Sequence, residues 1–481
     1  MRITIKLLGT KGPDSMLKKK KILFLILFLY LVCGLLTIRF FDGTADAGDS
    51  ILHYLFARYA PQHPELFFDH WAKPLFVLLS CPFAQFGLNG IKLFNLLVTL
   101  FSIYLTFLSC DLLKIKNNLV LPLLVIFAPY VYIQTFSGLT EPLFALFLIT
   151  GIYFILKQKT AVAAIIISFM PFVRSEGLII MGVFALFFIF RKEWRCLLLL
   201  LCGHVCYSIA GYFVYHDFLW VFGKIPYARL SSAYGSGGLG HFVTQLIYVT
   251  GVPVYVLFWL GVVSYIPAWI RKKEKIISVN TWLVLGCTVA FIAAHSLFWV
   301  LGIFNSMGLK RVLIGIMPLI AIISLHGFNM ISEQKFISKN LKRIIQLIVA
   351  LYICIFPFTK NPAALNLKKD LSLEQGQICA SEVTSYIISN CKPYGKIYYA
   401  YHYFSVTFGI DHFDKAKHLE LREENLDERS RGDLIIWDNW FARYSIGITP
   451  EYLEGIPGMR KIKDFSFDDT GTAGFILYQY Y

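Results

Sequence analysis

Asp42, Asp46, Asp49, His53, His63, His70 and Lys73 fall in one short polar island directly behind the first apolar run of the chain. A carboxylate in such a place can take a proton from an attacking hydroxyl, and a cation can hold a departing phosphate. The stretch "ILHYLFARYA" after Asp49 has the pattern of an amphipathic helix lying on a bilayer surface, and the chain comes back through "FFDHWAKPLF", returning Lys73 to the same depth. A carboxylate and an ammonium at the membrane surface suit a substrate that is half lipid and half water-soluble, with a charged phosphate at the junction. Position distinguishes this island from an ordinary solvated loop, which would carry the same residue types.

The elements that must position these groups are apolar. Of 481 residues 57% are hydrophobic and 16% charged, with mean hydropathy +0.61, so the expected class is a polytopic membrane protein. The net charge of +15 comes from short Lys/Arg clusters between apolar runs, a placement that fixes orientation in a membrane and does not point to nucleic acid. About eleven transmembrane helices are predicted, over Ile22–Ile38, Ile91–Cys110, Leu119–Ile133, Pro142–Leu156, Ala161–Val173, Leu178–Phe190, Cys196–Tyr215, Phe242–Ile270, Ile276–Leu301, Val312–Leu325 and Ile344–Phe358. The first run follows "KKKK" without a small-residue cleavage site and is expected to stay as an anchor.

With the N terminus inside, "KKKK", "KIK", "KQK", "RKEWR", "RKKEK" and "KNLKR" share the cytoplasmic side. The other face then collects the loop 39–90, "SGLTEP", "RSEG", the loop Asp217 to Gly240 and everything after Thr359. Lys73 to Gly87, broken by Pro82, reads as an interfacial or re-entrant helix. The polar tail, with strand patterns in "KIYYAYHYFSVTFGI", "GDLIIWDNW" and "GFILYQYY", reads as a small α/β domain. The expected organisation is an all-α membrane domain over 1–358, with its catalytic loop at 39–90, and an extracytoplasmic α/β domain over 359–481, in a cell inner membrane.

Eight of the ten cysteines lie in or beside apolar runs and read as small core hydrophobes; Cys379 and Cys391, in the tail, leave a disulfide open. No phosphate-binding glycine loop, dinucleotide fingerprint or nucleophile elbow occurs in the sequence, and no cofactor is expected. His53 and His70 with the aspartates offer nitrogen and oxygen atoms to a metal, but surface histidines that bind nothing explain them as well, so no metal is assigned. "WDNWF" could stack on a sugar ring or simply fill a core.

The order of these motifs resembles the GT-C superfamily of polyprenyl-phosphate-sugar-dependent glycosyltransferases, among them the protein O-mannosyltransferases and the aminoarabinose transferases of lipid A. The resemblance is carried by "DAGDSILHY" (Asp46 to Tyr54), "AKPLF" (Ala72 to Phe76), "TEPLFALF", "FMPFVRSEG" and "GLKRVLIGIMP". Two departures stand out: Asp49 is followed by Ser50 where relatives commonly have a second acid, and Ala72 replaces an acid often found before the Lys-Pro pair.

The resemblance implies transfer of a sugar from a polyprenyl-phosphate carrier to a hydroxyl acceptor, a glycolipid, glycan or protein, with inversion. Asp49, or Asp46, would be the base, and Glu141 would orient the acceptor or assist. Lys73, Arg174 and Arg311 would face the lipid phosphate, with Tyr54, His53 and Glu176 completing the binding set. Arg174 and Glu176 could equally be a local ion pair, and Glu141 a helix-dipole partner beside Pro142. A lipid-linked-sugar transporter is the competing class, but it would place ionisable groups mid-bilayer on broken helices. An O-antigen polymerase or ligase shares the lipid-phosphate logic and stays open.

Overall fold

A computed structural model describes residues 13–228, 231–232, 234–270, 278–334, 337–466 and 473–481; the basic cluster "RKKEK" at 271–275 lies outside them. The chain divides into two compact units. One takes the chain up to Arg39, Asn95–Thr135 and Thr140–Leu365; the other takes Phe40–Phe94, Phe136–Leu139 and Asn366–Tyr481.

Among the described residues, six helices are long and apolar enough to cross a bilayer: Leu17–Phe40, Gly87–Leu112, Trp194–Tyr215, Val279–Leu301, Lys310–Glu333 and Lys339–Phe358. Asn118–Ile126 and Pro129–Thr135, bent by 67°, would make a seventh if taken as one span. Proline has no N–H to continue the hydrogen-bond ladder, which explains a break there. This is a multi-pass membrane protein, but eleven full-length spans are not found among the described residues. The remaining apolar runs are helical and short: Glu141–Leu156 has 16 residues, Thr160–Ser168 has 9 and Gly177–Phe190 has 14. At about 1.5 Å per residue even the first reaches only about 24 Å, short of a hydrocarbon core of about 30 Å. The long run Phe242 to Ile270 is cut at Gly251, where φ is +74°, into His241–Thr250 and Val252–Ile270. Hydropathy located each run; it could not report whether a run folds as one unbroken rod.

The second unit joins the first polar loop to the tail. In the loop, the helix Asp49–Tyr59, a 3-10 turn at Pro64–Phe68 and the helix Pro74–Ala84 close around Phe56, Ala60, Leu66, Ala72 and Val77. Phe413 of the tail packs into this small core, its ring 4.9 Å from that of Phe56. Tyr59 donates its hydroxyl proton to the carbonyl of Ile410 (3.0 Å), and His63 Nε2 bonds Asp411 Oδ2 (2.9 Å). Gly43 donates its N–H to the Leu371 carbonyl at 2.8 Å, and a Cβ at Gly43 would overlap the Ser372 carbonyl, so only glycine permits this approach.

The tail builds a five-stranded sheet from β1 (Ile397–Tyr399), β2 (His418–Glu420), β3 (Leu434–Asp438), β4 (Met459–Ser466) and β5 (Ala473–Tyr480). The order is β2-β1-β3-β5-β4; β1 runs parallel to β2 and β3, while β5 is antiparallel to β3 and β4. Every residue of β1 and β3 is buried, as expected of central strands covered on both faces. Of the predicted strand "KIYYAYHYFSVTFGI", only Ile397–Tyr399 is extended; Tyr403–Phe408 is a helix ended by Gly409 at φ +65°. Trp437 is buried and donates its indole N–H to the Ile448 carbonyl at 2.8 Å, so it is a core residue, whereas Trp440 is exposed.

Cys379 and Cys391 are free thiols. They mark the inside and the C-cap of the single helix Gln375–Asn390, and twelve residues of helix separate them by about 18 Å, far beyond the span of a disulfide.

Candidate active site

Each unit carries its own group of ionisable residues. In the membrane unit, Glu141 opens the helix Glu141–Leu156, Arg174 sits in the turn before the helix Gly177–Phe190, Glu176 directly precedes that helix, and Arg311 lies in the 3-10 segment Lys310–Ile316. Glu141 is fully buried, and its Oε1 lies 2.7 Å from Arg174 Nη1 and 3.4 Å from Arg311 Nε. Arg174 Nη2 bonds Glu176 Oε1 at 2.8 Å, and Nη1 also donates to Thr140 Oγ1 at 2.9 Å. Burial works against the guanidinium charge, but the Glu141 and Glu176 carboxylates outweigh it and raise Arg174 above its ordinary value. Two acids and two bases make a cluster with no net formal charge. The local Arg174–Glu176 pair is therefore present, within a network that also takes in Glu141 and Arg311.

In the other unit, the start of the helix Asp49–Tyr59 organises the acids. Asp46 Oδ1 accepts from the N–H of Gly48 (3.0 Å) and of Ser50 (3.2 Å), and the Thr44 hydroxyl donates to the Asp46 carbonyl (2.8 Å). Asp46 thus ties down the first turn, the work of an N-terminal cap. Asp49 is the first helical residue and is half-buried. Burial holds the imidazole of His402, a tail residue that carried no sequence signal, below its ordinary value, with Glu420 and then Asp49 pulling the other way. The Asp46 carboxylate likewise bears on Glu374, whose carboxyl is pushed up by burial and then by Asp46.

Lys73 closes the loop in an unusual backbone state, φ +68° and ψ +94°, directly before Pro74. Its Nζ donates to the His70 carbonyl at 3.1 Å, and Ala72 N–H is held by Asp69 Oδ1 at 2.8 Å. A lysine in this region of backbone space is strained, and such positions persist where the surrounding fold enforces them.

Tyr54 is buried on the helix Asp49–Tyr59, and burial pushes its phenol above the usual range. His53 is not a surface histidine: it is buried, stacked on Trp71 with ring centres 5.0 Å apart, and edge-on to Phe76 at 5.4 Å. His70 is also buried. Among the described residues no three His, Cys, Asp or Glu side chains converge as metal ligands.

So Asp46, Asp49, His53, Tyr54 and Lys73 belong to one unit, and Glu141, Arg174, Glu176 and Arg311 form one network in the other. His402 lies more than 350 residues along the chain from Asp49, and no local pattern could have joined them.

No known sequence family and no curated protein matches the chain. Its fold does match solved structures. The crystal structure of ArnT from Cupriavidus metallidurans bound to undecaprenyl phosphate aligns with a TM-score of 0.63 at 10% identity, over 95% of this chain and 97% of that one. The apo structure of the same ArnT gives 0.62 at 10% identity over the same shares. The chain has the fold of ArnT, a GT-C fold, as the motif order implied.

Proposed function

We propose that this chain is an integral membrane glycosyltransferase that moves a sugar from a polyprenyl-phosphate carrier to a hydroxyl acceptor on the extracytoplasmic face, with inversion. Undecaprenyl phosphate bound to the structurally similar ArnT supports the carrier class. The observation that carries the reading is the first loop itself: a half-buried carboxylate, Asp49, at the start of one helix and a cation, Lys73, held in a strained backbone state at the start of the next.

In the proposed reaction, Asp49 removes the acceptor's proton as the hydroxyl oxygen attacks the anomeric carbon from the face opposite the leaving phosphate. The bond from that carbon to the phosphate oxygen breaks, and negative charge grows on the lipid phosphate. Lys73 meets this charge, which stabilises the transition state more than the ground state. Arg174 and Arg311 are the further candidates for the phosphate, with Glu141 and Glu176 beside them in one network. In this reading Glu141 is the anchor of that cluster. Nothing in the reaction calls for a cofactor.

The transporter alternative gains little from the charge distribution, since the buried ionisable cluster of the membrane unit is internally neutralised and sits at helix ends.

Incubating the purified protein with a labelled monosaccharide on undecaprenyl phosphate tests the reading: label should leave the carrier for an acceptor, and intact carrier after complete turnover conditions would defeat it. Lys73→Ala should lower turnover at least about tenfold, by analogy with the roughly 2–4 kcal/mol lost with one oxyanion donor. Wild-type turnover at normal protein level would move the phosphate site elsewhere. Orientation is checked separately. Reporter fusions at Lys368 and at Lys116 should give opposite sides of the membrane, with Lys368 outside; a cytoplasmic signal from Lys368 would overturn the assignment of the face.

A further inference from the structure

The aromatic stretch "WDNWF" splits in the fold, and its exposed half has no part in the proposed reaction. Trp437 belongs to the core of the sheet, whereas Trp440 is 61% exposed and Tyr444, four residues on, is 70% exposed. Both stand on the turn that follows β3, their ring centres 6.0 Å apart and their planes at 64°. A single exposed aromatic ring needs no explanation, but two neighbouring rings on one turn make an angled shelf. The turn is firmly built. Asp438, buried at the end of β3, accepts the N–H of Trp440 (3.0 Å), of Phe441 and of Ala442 (3.2 Å), so one carboxylate holds three successive peptide groups. The Tyr444 N–H returns to the Trp440 carbonyl at 2.9 Å. Phe441 packs inward: its Cζ lies 3.4 Å from where a Cβ on Gly48 would stand, Gly48 being the residue before Asp49. The shelf is thus rooted on the loop that carries the proposed base.

The chemistry around the shelf selects what it holds. Arg443 lies between the two rings in the chain, its guanidinium 5.6 Å from the centre of the Tyr444 ring and its Nη1 3.5 Å from Asn439 Oδ1. Flat aromatic faces beside an amide and a guanidinium suit a pyranose, whose C–H face packs on a ring while its hydroxyls take hydrogen bonds. A bilayer makes different demands, because a surface lying in lipid needs aliphatic side chains as well. The helix Pro74–Ala84 of the same unit shows such a face, with Leu78 and Leu79 exposed. Between 434 and 458, by contrast, the large exposed hydrophobic side chains are Trp440, Tyr444 and Tyr452, each an aromatic ring that carries a hydrogen-bonding atom.

We propose that Trp440 and Tyr444, with Arg443 and Asn439, form a binding site for the glycan portion of the acceptor, holding a sugar chain beside the turn that leads into Asp49. This rests on the transferase reading above and narrows its acceptor from any hydroxyl compound to one that carries a glycan. The site contributes equally to the bound acceptor and to its transition state. Interactions of that kind set the acceptor KM and leave kcat in place.

Two measurements on the full-length protein in nanodiscs test it. The first needs no turnover: a fluorescently labelled, lipid-free oligosaccharide, released by mild acid from the host's surface glycolipid, is titrated by polarisation. Trp440→Ala and Tyr444→Ala should each weaken its binding by about tenfold, and Trp440→Phe and Tyr444→Phe, which keep a flat face, should restore most of it. The second is transfer from a labelled sugar on undecaprenyl phosphate to the same oligosaccharide. There the Ala variants should raise the acceptor KM by about tenfold, with kcat and the carrier KM unchanged. Wild-type affinity for the oligosaccharide in both Ala variants overturns the proposal, and so does label that passes only to protein. A rise in the carrier KM alone would make the rings part of the bilayer contact and overturn it too. Binding that depends on Trp440 and Tyr444 in a protein that transfers no label would support the glycan site and defeat the transferase reading alone.

Discussion

Asp49→Asn is expected to lower turnover by about 100-fold or more, the usual scale of general-base catalysis, with little change in stability. The substitution keeps the size of the side chain and most of its hydrogen bonding, and what it removes is the ability to accept a proton. Asp49 is the first residue of its helix, so losing its charge also removes a favourable interaction with the helix dipole, about 0.3–1 kcal/mol at an exposed position. Asp46→Asn is the control, because its Oδ1 can go on accepting from Gly48 and Ser50 as an amide oxygen. That variant should stay active, while Asp46→Ala should cost about 0.5–2 kcal/mol of stability as a lost cap. A dead Asp46→Asn beside an active Asp49→Asn would move the base three residues upstream. Near-full activity of both would end the mechanism proposed here.

Glu141→Ala should be the most destabilising single change among the residues discussed. The side chain is fully buried, and its Oε1 stands between Arg174 and Arg311. Without it, two guanidiniums of like charge lose the carboxylate they share in a poorly hydrated cluster, where Glu176 and the Thr140 hydroxyl still bond Arg174. Breaking a buried pair from one side costs about 3–5 kcal/mol, most of it the penalty of an uncompensated charge. The expected readout is a steep fall in folded protein and in thermal stability, with Glu141→Gln falling between it and the wild type. If Glu141→Ala melts like the wild type but loses activity, the residue belongs to the chemistry and not to the anchor. For the same reason, activity lost in Arg174→Ala must be read against protein level before any of it is assigned to phosphate binding.

Much of this architecture was legible in the chain. The apolar runs named the six long membrane helices among the described residues, and the Asp46, Asp49 and Lys73 island marked the loop that the fold shapes into two helices. What the runs concealed was length and continuity, since Gly251 and Pro129 interrupt segments that hydropathy reads as uniform. Spacing along the chain suggested Arg174 with Glu176, two residues apart, but could not join Glu141 to Arg311 across 170 positions. His53 misled for a different reason: an imidazole in a polar stretch looks solvated, and only the placement of Trp71 and Phe76 shows it stacked in a small aromatic core. His402 carried no signal at all, because what distinguishes it is burial against His412 and Phe441, brought together by the fold.

The joining of the first loop to the tail also sets a timetable. Tyr59 and its partner Ile410 are 351 residues apart in the chain, so at about 5–20 residues per second the ribosome needs roughly 20–70 s to supply the second after the first. Throughout that interval the stretch Phe40–Phe94 exists without Phe413 and Asp411, and for most of it without Leu371, the tail groups that close it. The helices bearing Asp49 and Lys73 therefore reach their finished arrangement only near the end of synthesis. A nascent chain that stalls between Phe358 and Ile410 has made its membrane helices and still lacks Ile410, Asp411 and Phe413, which complete its first loop.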